Sequence, residues 1–163
     1  EPVDLGFDCP LDLHCSYTRE QLLVAMDFMK PSIVREGVKW LPDKNIDVFF
    51  ITLNKSDKDY SPTTMYQDYS INETLFHWQS QSTTNAEGKV GQRYINHRKN
   101  GSKVLLFVRE FKNDIYGNTA PYTYLGTANY VSHNGSRPMN ITWKLDDPIP
   151  AKYLKKTNKL VVG

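Results

Sequence analysis

Phe76–Ser82 reads FHWQSQS, two aromatic rings and a histidine followed by four amide and hydroxyl side chains. Just upstream, MYQDYS supplies Tyr66, Asp68 and Tyr69. Rings offer flat stacking faces, while amides, hydroxyls and a carboxylate offer hydrogen-bonding edges. A nucleobase uses both. Proteins that take a base out of a duplex stack it on aromatics and read its Watson–Crick edge with polar side chains. On that reading Tyr66, Tyr69 and Trp78 are the faces, and Asp68, Gln79, Ser80 and Gln81 are the edge partners. A carboxylate such as Asp68 suits cytosine, whose N4 amino group is a donor. Read instead as a plain strand, the stretch would send Phe76 and Trp78 into the core and leave His77 and Gln79 in water. The amides and hydroxyls crowded after Trp78 favour the pocket.

A nucleic acid also needs cations for its phosphates. Between Lys89 and Lys112 the chain holds Lys89, Arg93, Arg98, Lys99, Lys103, Arg109 and Lys112 against Glu110 alone, although the net charge is only +2. Such a local stripe is the footprint of a polyanion partner, and equally of a solvated hairpin. The predicted backbone contacts are His77, Lys89, Arg93, Arg98, Lys99, Lys103 and Arg109. Arg109 shares a strand face with Leu105 and Phe107, so a buried structural role and a phosphate contact both stay open for it.

The chain carries no signature of catalysis. It has no G-x-x-x-x-G-K-S/T loop and no cysteine pairs at metal spacing. His14, His77, His97 and His133 are scattered. Glu110-Phe111-Lys112 is half of a metal-dependent nuclease site, but it lacks the aspartate on a neighbouring strand that would share the metal. His97-Arg98-Lys99 opens an H-x-K-x-x-x-x-D motif that fails at Val104. Cys9 and Cys15 sit in an acidic segment, which disfavours thiolate. The reading is therefore a binder with no catalytic residue, metal or cofactor of its own.

The elements that must position these residues read as follows. Thr18-Arg19-Glu20-Gln21 is a capping box that starts a helix from about Thr18 to Met29, stapled by Tyr17 and Leu22. Leu22, Leu23, Met26 and Met29 form its buried stripe, and Pro31 ends it. IDVFFITL (Ile46–Leu53) is apolar throughout and predicts a buried strand. Asn100-Gly101 between QRYINHR and KVLLFVREFK predicts a hairpin in which both turn residues take positive φ. YTYLGTANYVSH and MNITWKL predict a second pair joined by NGSRP, with Gly126 at a bulge or close approach. A short last helix is expected near PIPAKYL. One early helix followed by mostly antiparallel strands predicts an α+β fold, a small closed or half-open β-barrel with a flanking helix. The 163 residues suit a single domain, helix-led over about 13–45 and barrel-like over about 46–147.

Composition agrees with a globular chain, at 39% hydrophobic and 23% charged. The sequence begins at Glu1, which predicts an excised domain or a processed product. It has no signal-like segment and no run near the roughly 18 apolar residues of a membrane helix. With only two cysteines, the expectation is a reduced, cytoplasmic chain. The Asn-x-Ser/Thr sites at Asn54, Asn72, Asn100, Asn134 and Asn140 are then chance.

A set of motifs in order carries a family resemblance: YTREQLL, REGV, SPTTMYQDYSI, FHWQSQS, GQRYINH, VLLFVRE, YTYLG, NYVSHNGSRPMNITWKL and PIPAKYL. Over Leu13 to Leu154 the chain resembles the C-terminal domain of a bacterial family of superfamily II helicase-like proteins. That domain has long been labelled one of unknown function. The better-understood members are type IV, modification-dependent restriction enzymes. The resemblance implies a domain that follows a nuclease and an ATPase motor in one parent chain and has an SRA- or PUA-like barrel. It also implies recognition of 5-methylcytosine or 5-hydroxymethylcytosine in double-stranded DNA by base flipping. ATP and Mg²⁺ would serve the parent's motor. No pocket residue is carried over from it. The rival reading is a protein-interaction module coupling motor and nuclease.

Overall fold

The computed structural model describes residues 5, 9–26, 37–54 and 68–154. Met29, Tyr66 and the rest of 55–67, where a loop was expected, lie outside them. The elements run β1 (Ser16–Tyr17), α1 (Arg19–Ala25), β2 (Val38–Leu41), β3 (Ile46–Thr52), β4 (Tyr69–Ser70), β5 (Leu75–Gln79), α2 (Lys89–Ile95), β6 (Lys103–Arg109), β7 (Tyr122–Asn134) and β8 (Asn140–Leu145). A last helical turn covers 151–154. The fold is α+β, and one mixed sheet runs β2-β3-β6-β7-β8-β5-β4, with β1 added to β7. All pairs are antiparallel except β3 with β6. Among the described residues the edges β2 and β4 do not meet, so the sheet is open and, of the closed or half-open barrel expected, the closed form is not seen.

The capping box exists. Thr18 Oγ1 accepts from Gln21 N–H at 3.1 Å, and Gln21 Oε1 accepts from Thr18 N–H at 2.9 Å. Leu22, Leu23 and Met26 are buried, as the stripe required. They pack on Val48, Phe50, Leu105, Phe107, Tyr122 and Tyr124 on one side of the sheet. The other side carries Phe49, Ile51, Val104, Leu106, Val108, Ile141 and Trp143, covered by Tyr94 and Ile95 of α2. Alternate residues of β3 and β6 thus feed two cores, which is why both strands read as unbroken apolar runs.

The predicted hairpin at Asn100-Gly101 does not form. Its first arm is α2, and β6 pairs in parallel with β3, Ile46 opposite Lys103 and Thr52 opposite Arg109. Gly91, Tyr94 and Ile95 stand at helical spacing, and Tyr94 is fully buried. Burial of that stripe outweighed the local turn signal. Of the two turn residues only Gly101 has positive φ, at +75°. The β7–β8 pair does form, with Asn134 opposite Asn140. Gly126 sits at a bulge with φ +90°, where a Cβ would come within 3.0 Å of Leu13 Cδ1. Cys9 and Cys15 are not joined in a disulfide. Among the described residues no helix is long and apolar enough to cross a membrane.

Candidate functional site

β5 alternates strictly. Phe76 and Trp78 are buried, while Leu75, His77 and Gln79 are only partly covered. Trp78 is 4% exposed, and its ring lies 4.3 Å from that of Phe49 in a stack. The plain-strand reading therefore holds for this residue. Trp78 is a core ring with its face occupied, not an open platform for a base.

Two polar members of the predicted pocket are also spent on the backbone. Asp68 Oδ1 accepts from Gln79 N–H at 2.9 Å and ties β4 to the end of β5. Ser80 Oγ accepts from Met139 N–H at 2.8 Å and donates to Gln81 O at 3.0 Å. Both side chains are buried, and donors at strand ends need such partners. Gln81 is exposed, with Oε1 accepting from Thr84 Oγ1 at 3.2 Å. At the start of β5, Asn72 Oδ1 accepts from the N–H groups of Thr74 and Leu75, both at 2.9 Å.

Three predicted residues do meet on an open surface. Tyr69 pairs with His77, and their rings stack at 4.7 Å with an 18° interplanar angle. His77 sits opposite Thr142, which is opposite Ser132. One row on, Gln79 pairs with Asn140, opposite Asn134, and Gln79 Nε2 donates to Asn140 Oδ1 at 3.2 Å. On the other side of His77, Leu75 faces Lys144, which faces Asn129. Paired residues share a sheet face. The wing of β4, β5, β8 and the far half of β7 therefore presents one face of stacked rings, amides and hydroxyls, none of it buried.

The cations divide. Arg93 is structural: Nε and Nη2 grip Asp47 at 2.9 and 2.8 Å, and the guanidinium lies 4.5 Å over Trp40. Asp47 is 0% exposed; burial pushes its pKa above the ordinary 3.8 although Arg93 opposes the shift. Arg109 is held by Thr52 Oγ1 at 2.9 Å and Ala120 O at 3.1 Å, with its guanidinium 4.3 Å over Tyr122. Lys89, Arg98 and Lys99 are exposed, and Lys103 is partly covered.

Arg98 and Lys99 belong to the α2–β6 turn, which leans on the wing. Arg98 Nη2 donates to Tyr130 O at 2.9 Å. His97, missed by sequence reasoning, locks that turn. Its Nε2 accepts from Tyr130 N–H at 3.0 Å, so Nδ1 must carry the proton toward Ser102 O at 3.2 Å. Burial holds its pKa below the ordinary 6.5, which keeps it neutral. Only its pairing across 33 residues reveals this role. Tyr130 and His133 lie on the opposite side of the sheet, in register with Trp143 and Ile141, with Tyr130 Oη 2.7 Å from His133 Nδ1.

A cleft of about 320 Å³ opens at the β2–β3 turn, lined by Met26, Lys39, Trp40, Leu41, Pro42, Asp43 and Lys44. None of the predicted pocket residues lines it. Glu110, of the E-x-K triplet, lies 3.9 Å from Lys152 Nζ. Among the described residues no group of three metal-ligating side chains comes together.

No curated protein matches the chain. A family model matches residues 11–156, nearly the whole of the described fold, and the chain belongs to that family, the domain of unknown function DUF3427.

Proposed function

We propose that this domain binds double-stranded DNA and reads modified cytosine, 5-methylcytosine or 5-hydroxymethylcytosine. The observation that carries the reading is the Tyr69–His77 stack beside the Gln79–Asn140 amide pair on one open face. Rings accept the flat side of a base, and amides can both donate to and accept from its edge. Arg98, Lys99 and Lys144 at the rim would hold phosphates. A flipped base would meet Tyr69, His77, Gln79 and Gln81, whereas Trp78, Asp68 and Ser80 act from behind by fixing β5. The motif resemblance supports the finer reading. There the domain is the target-recognition module of an ATP-dependent type IV restriction endonuclease, akin to SRA or PUA-like barrels in an open form. Motor and nuclease lie elsewhere in the parent, which uses the ATP and Mg²⁺, and no catalytic step is assigned here. One buried methyl is worth about 0.8 kcal/mol, or roughly fourfold. A larger preference must come from excluding other bases or from easier flipping.

A second reading, a module docking on the motor or nuclease, is favoured by the β6–β7 loop. Ile115 and Tyr116 are 90% and 81% exposed there. The tip is held stiff by Asp114 Oδ1, which accepts from Tyr116 and Asn118 N–H at 2.9 Å each. Fluorescence anisotropy separates the two, using duplexes with cytosine, 5-methylcytosine or 5-hydroxymethylcytosine in several flanking contexts at fixed salt. Tighter binding to modified duplex is expected. Equal, salt-sensitive binding would leave a general DNA clamp, and no binding would leave the docking module.

A further inference from the structure

Among the described residues the two most exposed large apolar side chains are neighbours, Ile115 at 90% and Tyr116 at 81%. They form the tip of a short hairpin between β6 and β7. Asn113 bridges to Thr119, Asp114 N–H donates to Asn118 O at 2.7 Å, Gly117 N–H to Asp114 O at 3.1 Å and Ala120 N–H to Lys112 O at 2.8 Å. With the Asp114 carboxylate on the Tyr116 and Asn118 N–H groups, the tip is stiff. A tip shaped in advance loses little freedom when a partner takes it.

The same chain carries a hole. The cleft at the β2–β3 turn has apolar walls of Met26, Trp40, Leu41 and Pro42. Its volume of about 320 Å³ is the space of roughly ten waters at about 30 Å³ each, room for the ring of Tyr116. Arg93 holds Trp40 in place from 4.5 Å over its ring. The charges also match. Asp114 is the single charged residue of the tip, 113–118, and the described rim of the cleft sets Lys39 and Lys44 against Asp43.

Knob and hole sit at opposite ends of the parallel pair. The cleft residues lead into β3 at Ile46, whereas the hairpin leaves β6 after Arg109, beside Thr52 at the far end of β3. The seven residues of β3, about 20 Å of strand, separate the two levels. The exposure of Ile115 and Tyr116 shows that the tip does not enter the cleft of its own chain. We propose that the 113–118 tip inserts into the β2–β3 cleft of a second copy of this chain, giving a head-to-tail contact. Such a contact joins two different surfaces, so each pair still offers a tip at one end and a cleft at the other, and the contact repeats into a chain or a ring. A tyrosine seated in an apolar pocket is the kind of anchor that dominates small interfaces. Two side chains bury less than the roughly 1,000 Å² of a stable complex, so free chains associate weakly. Under the reader proposal, neighbouring domains on one duplex share a millimolar effective concentration, and a weak contact then fills. Duplex DNA is a poorer occupant for the tip, whose one charge is negative.

The test is sedimentation equilibrium of the 163-residue chain, without DNA, up to millimolar concentration. The average mass should climb with concentration. Ile115→Asp spoils the tip and Pro42→Glu charges a wall of the cleft. Both residues are exposed, so both variants should keep the wild-type melting temperature, and Tyr116→Ser is a second tip variant. Each variant alone should self-associate with a dissociation constant about tenfold or more above wild type. Mixed, Ile115→Asp and Pro42→Glu should associate again, one supplying the cleft and the other the tip, and should stop at the dimer. A wild-type chain that stays monomeric overturns the proposal. Loss of duplex affinity in Ile115→Asp would then give the tip to DNA, and unchanged affinity would leave it to the motor or nuclease. Self-association that either variant leaves intact, or that the mixture does not restore, overturns it as well, because the contact then lies elsewhere or is symmetric. Since no DNA is present, the contact can fail or stand whatever becomes of the reader proposal.

Discussion

On its α1 side the sheet carries Val48, Phe50, Leu105 and Phe107 over β3 and β6, and His77, Gln79, Asn140 and Thr142 over β5 and β8. The first set is sealed under Leu22, Leu23 and Met26. The second set meets water, though Phe76, Trp78, Ile141 and Trp143 directly behind it are buried. One sheet thus has one half with two dry sides and one half with a single dry side. The dry half of a face needs only shape and apolar area. The open half keeps rings and amides in contact with water, where a ligand can reach them. A stiff aromatic layer behind that face limits how far it can give.

The sharpest way to break this contrast is Trp78→Ala. If Trp78 belongs to the dry layer, unfolding free energy should fall by about 3–5 kcal/mol in a urea titration. A small loss together with selective loss of DNA binding would instead put Trp78 on the functional face. Arg93→Ala should cost a similar amount, about 3–5 kcal/mol, because it strands a buried carboxylate. Asp47 already has a folded pKa above its ordinary 3.8, and a group raised by folding favours the folded state more as pH falls through that raised value. Removing Arg93 raises it further. The deficit should therefore be widest near neutrality and narrow on acidification, as melts from pH 7 down to pH 5 would reveal.

His97 tests the seam between the halves. Its folded pKa is depressed by burial, with Arg98 and Lys103 pushing the same way and Asp146 and the Ser102 carbonyl opposing. A histidine depressed by folding contributes stability above its unfolded value, lost as pH falls through about 6.5 toward the folded value. A melting temperature that declines over that window in wild type and less so in His97→Gln is the expected result. On the open face the effects move from stability to binding. Tyr69→Ala should cost at most about 1 kcal/mol of stability. It should weaken DNA binding about tenfold, the loss of one stacking platform. Smallest of all, Arg98→Ala should leave the preference for modified DNA intact. It should reduce the slope of log affinity against log salt by about one phosphate contact.

These outcomes bear on residues that the sequence revealed unevenly. IDVFFIT announced a doubly buried strand because no position in it is strongly polar except Asp47. LFHWQ announced a half-buried one by alternation, and only the amides that follow made Trp78 look available. The capping box was local and therefore readable. Helix α2 was not, because Gly91 and the Asn100-Gly101 pair are breaker signals, while its reward, Tyr94 against Phe49, Trp78 and Trp143, is entirely non-local. The Asp47–Arg93 pair and the parallel union of β3 with β6 lie across long sequence separations, beyond any window of pattern reading. For the same reason the cationic stripe looked continuous, although Arg93 and Arg109 turn inward and Lys89, Arg98 and Lys99 turn outward.

The strict alternation of β5 also says which kind of genetic change this protein tolerates least. A substitution in Leu75–Gln79 alters one group. Losing or gaining a single residue there would slip the strand by one position. Phe76 and Trp78 would then go to water and His77 into the aromatic layer. Two clamps resist that slip from opposite ends: the Asn72 carbonyl on Thr74 and Leu75, and the Asp68 carboxylate on Gln79. Between them they fix the length of the segment more firmly than its lettering. Relatives of this domain should hardly ever differ in the number of residues between Asn72 and Ser80.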